Sequence, residues 1–379
     1  KGGVINSNKE VNMKIKNVLS VFGGIEAGYL SLLRAGITPE NYYSSEIDKH
    51  ACKVVSTKLP QVKQLGDITK WREWDLDWGS IDLFIGGSPC TGFSAAGKQA
   101  GTSAEVNGDI VVVTTLEQYE ELRLRKLSGE TIIFLSQSYL FWEYVAILKH
   151  LQTIKPEIKF LLENVKMKKE YLNMIDEAIG VKSVVINSSL LSAQNRVRHY
   201  WCNWNVSQPQ DKGILLCDIL EDAVDIKYNI SKEAIDYMGR LRNGKPRWEY
   251  HKNPVDGKAA CLTANMFKGV PYGTLRLENK SATKNGKAYT LTASQGNCVA
   301  WNSIERKQRT MIPVCESTEV NPNVYEGILY RKLTPVECER LQTFPDGWTE
   351  GISNTQRYKA LGNSWTVDVI AHIFKEMLK

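Results

Sequence analysis

Cys90 follows a proline at the end of an apolar run, Ile81-Asp-Leu-Phe-Ile-Gly-Gly-Ser-Pro-Cys90. Leu83 to Ile85 predict a buried strand that breaks at Gly86-Gly87 and delivers Pro89 and Cys90 to a turn. Proline fixes φ, so the thiol after it is held in a set direction, as a nucleophile requires. A cysteine by itself is more often a small buried hydrophobe. Other parts of the chain supply what this one would need. Glu163 ends a second apolar run, Lys159-Phe-Leu-Leu-Glu163-Asn164-Val165. In Gln194-Asn195-Arg196-Val197-Arg198, an extended backbone would put Gln194, Arg196 and Arg198 on one face. The bland reading of those arginines is a solvated face.

Together these groups suit one reaction. A thiolate adds to C6 of a cytosine ring only when the ring is made electrophilic. A carboxylic acid near N3 and a guanidinium near O2 do this by proton donation and charge stabilisation. Addition makes C5 a carbon nucleophile that can attack a sulfonium methyl donor. Loss of the C5 proton with release of the thiolate then closes the cycle.

The elements that must position these groups alternate in type. Lys16 to Phe22 predicts a first strand, Gly23 to Gly28 a turn, and Tyr29 to Ala35 a helix. Glycines in such a turn let the backbone approach a bound molecule closely. A second strand, Asn41 to Ser45, ends in Glu46-Ile47-Asp48. An acidic residue about twenty positions beyond a glycine turn is placed to accept from ribose hydroxyls. His50 to Leu59 reads as a helix, and Leu65-Gly66-Asp67-Ile68 as a further strand end whose carboxylate suits an adenine amino group. Trp71, Trp74 and Trp78 read as packing residues. Strands and helices in alternation predict an α/β doubly wound sheet holding an adenosyl-type cofactor.

Residues 95–137 form a long connector with a strand at Ile110 to Thr114 and a charged helix at Leu116 to Leu127; Ser138 to Leu148 then reads as a core helix. Composition shifts after Trp204. Residues 205–330 hold short stretches, glycine turns and an echo of Cys261-Leu-Thr-Ala-Asn265 in Thr290-Leu-Thr-Ala-Ser294. Arg240, Arg242, Lys245, Arg247 and Lys252 are the densest basic run of this smaller domain. Regular patterning returns at Arg331, where Leu333-Thr-Pro335 caps a helix through Leu341 and a final amphipathic helix runs to Leu378.

The 379 residues are enough for two domains, and a net charge of +6 mildly favours a polyanionic partner. Eight scattered cysteines without a C-x-x-C pair argue against a zinc site or disulfide framework and fit a reducing cytosol. No apolar run reaches membrane-spanning length, and no signal peptide is expected.

The ordered set Val21-Phe22-Gly23-Gly24-Ile25, Glu46, Gly87-Ser-Pro-Cys90, Glu163-Asn164-Val165, Gln194 to Arg198, Arg331 to Pro345 and Gly362-Asn363-Ser364 resembles the S-adenosylmethionine-dependent DNA (cytosine-5) methyltransferases. The likeness is to the phage and bacterial type. Glu26-Ala27, where bacterial members have two glycines, and Ser364-Trp365 look more like the animal de novo enzymes. Thr91 stands where many bacterial members have glutamine. The resemblance implies a Rossmann-like doubly wound mixed sheet, the class I methyltransferase fold, with a smaller target-recognition domain. The catalytic domain would be 14–204 and 331–379, and the recognition domain 205–330. It implies Cys90 as nucleophile, Glu163 as acid and Arg198, helped by Arg196, at the base. It implies S-adenosyl-L-methionine contacts from Phe22, Gly24, Ile25, Glu46, Ile47, Asp67, Ile68, Asn363, Ser364 and Trp365, and a C-terminal helix packed back beside the first strand. Methyl transfer to C5 of a flipped-out cytosine in double-stranded DNA follows, with tRNA as the alternative substrate. The expected protein is a monomer without metal or membrane partner, in the cytoplasm of a bacterial or phage-infected cell. A restriction endonuclease acting on the same site is a candidate partner.

Overall fold

The computed structural model describes residues 14–89, 92–93, 101–228, 241–242, 245–246, 288–289, 312–316, 324–325 and 328–379. The chain opens with β1 (Asn17–Val21), α1 (Ala27–Arg34), β2 (Asn41–Ser45), α2 (Lys49–Lys58), β3 (Lys63–Gln64) and β4 (Leu83–Gly86). An insert follows, made of β5 (Ala104–Val106), β6 (Asp109–Val111), α3 (Leu116–Leu127) and β7 (Ile132–Phe134). Then come α4 (Leu140–Ile154), β8 (Lys159–Val165), α5 (Lys169–Ile179), β9 (Val184–Asn187), β10 (Gln194–Asn195) and β11 (Val197–Cys202). The C-terminal part holds α6 (Pro335–Leu341), α7 (Asn354–Asn363) and α8 (Val367–Met377).

Seven strands make the central sheet in the order β3-β2-β1-β4-β8-β11-β9. All neighbours are parallel except β11, which runs antiparallel to both β8 and β9. Strand order reverses between β1 and β4, which opens a crevice at their C-terminal ends. Alternation along the strands feeds two cores. Val18, Leu83, Ile85 and Leu161 face one side, with α1, α2 and α8. Leu19, Phe84, Phe160 and Leu162 face the other, with α4 and α5. Each such side chain, fully buried, contributes roughly 1.5–3 kcal/mol, so a slip of one residue would expose a whole face. The C-terminal helix α8 lies on α1, the helix after the first strand: Ser31 Oγ donates to Val367 O at 2.9 Å and Arg34 pairs with Asp368.

The insert is a three-stranded sheet, β6-β5-β7, plus α3. Asn107 and Gly108, both at positive φ, form its hairpin turn. The expected strand at 110–114 is shorter and earlier, because Asp109 to Val111 pair with Val106 to Ala104. Fully buried Glu143 on α4 accepts from Trp71 Nε1 (2.8 Å), Tyr119 Oη (2.6 Å) and Arg72 (3.1 Å), tying α3 to the sheet layer.

Residues 205–228 also pack on this body. Leu216 and Ile219 join its core, and Trp204 Nε1 donates to Ile373 O at 3.0 Å. Lys332 N donates to Tyr228 O at 2.9 Å, so the chain leaves and re-enters at one place. Residues 205–228, expected in the smaller domain, thus pack on this body, and most of residues 229–330 lie outside the described residues.

The re-entry is locked by a buried pair. Arg331 reaches both carboxylate oxygens of Glu337 at 2.8 Å. Glu337 also forms a capping box with Thr334, with Pro335 at the first helical position of α6. Removing one partner strands a buried charge, so Arg331→Met should cost about 3–5 kcal/mol in urea unfolding. The double variant with Glu337→Leu should cost less than Arg331→Met alone; an equal or larger cost would show that the pair itself is not the source.

Candidate active site

Strand register decides which sequence-distant residues meet. Val21 pairs with Ser45 on one side and Gly86 on the other, and Gly86 pairs with Leu162. Glu46, Phe22, Gly87 and Glu163 therefore stand one step beyond a single row across four adjacent strands. Because β11 is antiparallel, its first residues return to the same edge, with Arg198 opposite Val165.

Glu163 lies at the centre of this edge, buried to 8% exposure. Its Oε2 accepts from Trp365 Nε1 at 3.1 Å, and its Oε1 is 3.0 Å from Arg198 Nε. That Nε lies off the hydrogen-bonding line, and among the described residues it has no acceptor, although it is buried. Buried donors are normally satisfied, so an orphaned N–H beside the Glu163 carboxylate suits a ligand oxygen. Arg198 is steadied by donating Nη1 to Val197 O at 2.9 Å.

Arg196 turns elsewhere. Its guanidinium, 3% exposed, donates to Ser364 O (2.8 Å) and Gly362 O (3.4 Å). Gln342 Nε2 donates to Leu361 O and Ser364 O, and Gln194 Nε2 bonds Leu341 O and Gln342 Oε1. Gln194, Arg196 and Arg198 are all buried, so the bland solvated-face reading of the two arginines does not hold, and the ladder breaks at Arg196 between β10 and β11. Of the two arginines, Arg198 reaches Glu163. Arg196 holds the Gly362–Trp365 turn.

Cys90 and Thr91 lie outside the described residues, but both flanks of Cys90 are anchored. Ser138, fully buried, accepts from Gly92 N at 2.8 Å and donates to Pro89 O at 3.1 Å. Asn164 Nδ2 donates to Ser88 Oγ (3.1 Å) and Ser88 O (3.3 Å). A Cβ on Gly92 would collide with Gly101 O and Ser136 Oγ, so that position requires glycine. Sequence reading missed Ser138. A serine ahead of an apolar helix signals a helix start, not a partner for a loop forty-nine positions earlier.

Beside these groups a cleft is lined by Ser20, Phe22, Gly23, Gly24, Ala27, Gly28, Gly87, Asn363, Ser364 and Trp365. Gly23, Gly28 and Gly87 of its lining are crowded by neighbouring side chains. A Cβ on Gly28 would lie 2.7 Å from Ile85 Cδ1 and 2.9 Å from Tyr42 Oη. Phe22 holds a left-handed φ of 58°, a strained position for a side-chain-bearing residue.

The profile of the C-5 cytosine-specific DNA methylase family matches residues 16–114 and 133–379. The chain belongs to that family. It is thus a DNA (cytosine-5-)-methyltransferase, and the unmatched residues 115–132 hold α3 of the insert. It is 25% identical to the orphan methyltransferase M.SPRI of Bacillus phage SPR, over 95% of this chain and 97% of that one. It is 27% identical to the type II methyltransferase M1.ScrFI of Lactococcus lactis subsp. cremoris, over 98% of this chain and 79% of that one. Among solved structures, the Entamoeba histolytica methyltransferase EhMeth has a TM-score of 0.57 at 16% identity, covering 96% of this chain and 98% of that one. The S. pombe Dnmt2 methyltransferase also scores 0.57, at 14% identity, covering 95% and 97%. These structures share the fold: a mixed, mostly parallel class I methyltransferase sheet.

In this methylase the cleft gathers Phe22, Gly24, Asn363, Ser364 and Trp365 of the expected cofactor contacts. Glu46 sits at its rim, accepting from Gly24 N (2.9 Å) and from Ile47 N and Asp48 N (both 2.7 Å). Asp67 caps the next turn through Thr69 N at 2.9 Å. The side chains of Ile25 and Ile68 are in the two cores, so they offer a ligand only backbone; Ile25 O already accepts from Trp348 Nε1 at 3.0 Å. Ile47 is 70% exposed. Gly87 joins cleft and acid: a Cβ there would sit 2.7 Å from Trp365 Nε1 and 3.2 Å from Glu163 Oε2. Gly87→Ala should shift both and lower kcat/KM about 100-fold, the scale of an ångström's misplacement. Steady-state kinetics at an unchanged unfolding midpoint check this, and a normal rate would refute it.

Proposed function

We propose that the chain transfers a methyl group from S-adenosyl-L-methionine to C5 of a flipped-out cytosine in double-stranded DNA, through a covalent adduct with Cys90. The observation that carries this reading is the Trp365–Glu163–Arg198 relay, which joins the small-residue cleft to an acid and an orphaned guanidinium N–H. The cleft fits the donor: glycines admit an extended backbone-hugging ligand, Phe22 and Trp365 offer aromatic faces, and the carboxylates of Glu46 and Asp67 end adjacent strands. When bound, the donor supplies a sulfonium methyl.

The chain's residues do the rest. Arg198 Nε binds the cytosine O2, and Glu163 gives its proton to N3. Pro89 and Ser138 hold the loop so that the Cys90 thiolate reaches C6. The pair of electrons released onto C5 takes the methyl group. A base then removes the C5 proton, the C6–S bond breaks, and Glu163 recovers its proton from N3. The target atom is inaccessible inside a stacked duplex, so the base must leave the helix first.

Target recognition belongs to the domain between Tyr228 and Lys332, where Arg240, Arg242 and Arg247 would meet phosphates; Arg240 and Arg247 lie outside the described residues. The protein would act as a monomer, and in the cytoplasm of a bacterial or phage-infected cell, a location its phage and bacterial relatives support. A partner endonuclease remains a candidate, since M.SPRI is named an orphan and M1.ScrFI a type II methyltransferase. Among the described residues no helix is long and apolar enough to cross a membrane, and no cluster of three metal-ligating side chains occurs.

Bisulfite sequencing of DNA from cells expressing the chain should show one protected cytosine in a fixed sequence context. Protected cytosines in tRNA with none in DNA would favour the RNA substrate instead.

A further inference from the structure

Beneath the glycine turn lies a carboxylate that the scheme above does not use. Glu26 is the left-handed residue, φ 60°, immediately before α1, and its side chain is fully buried. It accepts from Tyr42 Oη at 2.6 Å and from Ser44 Oγ, both on β2. Tyr42 Oη in turn lies against Gly28, which lines the cleft. Gly23 touches both the carboxylate and the cleft: a Cβ on it would collide with Glu26 Oε1, and Gly23 itself lines the cleft.

The groups around Glu26 carry no positive charge. Tyr42 and Ser44 face it from β2, Tyr29 on α1 stands against Tyr42, and Glu46 and Cys52 approach from the strand end and α2. Among the described residues no lysine, arginine or histidine pairs with it. Burial pushes its carboxyl up to about 7; repulsion from Glu46 adds to this, and the two hydroxyl bonds oppose it. An anion in such a place is stabilised by a cation that enters the neighbouring cleft. The donor is a sulfonium, whereas its demethylated product, S-adenosylhomocysteine, is a neutral thioether at the same atom.

We infer that Glu26 reads the charge at the sulfur and makes the cleft prefer the sulfonium donor to the thioether product. The inference rests on the cofactor reading given above. It gives the Glu26-Ala27 replacement of two glycines a purpose: faster exchange of spent product for fresh donor. The carboxylate acts through the backbone and touches no reacting atom, so Glu26 is a specificity-determining residue.

The sign of the pH dependence follows from linkage. In the free protein Glu26 holds its proton below about pH 7, and the sulfonium favours the ionised form. Donor binding at lower pH must therefore expel a proton, and donor affinity rises as pH rises through that value. Product binding lacks this link.

Calorimetric titration of S-adenosylmethionine and S-adenosylhomocysteine, without DNA, tests the inference between pH 6 and 8. The wild-type donor-to-product affinity ratio should climb with pH. In Glu26→Gln it should be about tenfold lower at pH 8, the size expected for one charge at roughly 12 Å through an effective dielectric near 20. The variant also serves as the baseline for titration of the ligands' own amino groups. Wild type alone, run at pH 6.5 in two buffers of different ionisation heat, should release about half a proton more with donor than with product. That count decides the matter even if the variant does not fold. Equal proton release for the two ligands, or an unchanged ratio in a folded variant, overturns the inference. Failure of both ligands to bind wild type would instead overturn the cofactor reading.

Discussion

DNA carrying 5-fluorocytosine at the target should become covalently linked to the wild-type chain and survive denaturation, provided S-adenosylmethionine is present. Thiolate addition at C6 and methyl transfer to C5 proceed as with cytosine. C5 then bears fluorine where the removable proton would be, so elimination stalls with the C–S bond intact. Cys90→Ala should give no adduct while still binding DNA, since it loses the nucleophile and little volume. The two flanks of Cys90 are anchored independently of its side chain, through Pro89 O and Gly92 N on Ser138, so the loop should keep its course. Peptide mapping should place the linkage at Cys90. An adduct in Cys90→Ala, or one mapped to Cys52 or Cys202, would overturn the assignment; burial pushes the thiols of both these cysteines up, away from the reactive thiolate.

Glu163→Gln should lower the rate of adduct formation by about 10²–10⁴, the usual range for losing a positioned proton donor. The substitution keeps size and can keep the Trp365 contact if its carbonyl turns toward the indole. Its NH₂ then faces the Arg198 guanidinium, so both the N3 proton and the orientation of Arg198 are lost. Donor affinity should change only a few-fold, because the cleft walls do not depend on Glu163 charge. Single-turnover trapping separates these effects. A normal trapping rate would exclude Glu163 as the acid, and a large loss of donor binding would assign it to the cleft instead.

Much of this was legible in the residues. Asn41 to Ser45, Leu116 to Leu127 and Lys159 to Val165 form elements at the expected bounds, because apolar alternation and capping signals are local. Cys90, Glu163 and Arg198 stood out as candidates from residue type and from strand ends. Three things were not. Strand order puts Glu46, Phe22, Gly87 and Glu163 in one row and brings Arg198 back to it on an antiparallel strand, and register between distant strands leaves no local mark. The parting of Arg196 from Arg198 depends on a break in the ladder at residue 196, so alternation alone assigned both to one face. The third is burial. Glu26 looked like a changed glycine in a loop, and Ser138 like a helix start. Only packing of β2 under the turn, and of the residues just ahead of α4 against the Pro89 loop, made one a buried acid with no cationic partner among the described residues and the other a clamp. Composition and pattern determined which groups the chain owns and the class of sheet that carries them; which groups share a low-dielectric space was decided by long-range contacts, and that sharing sets their chemistry.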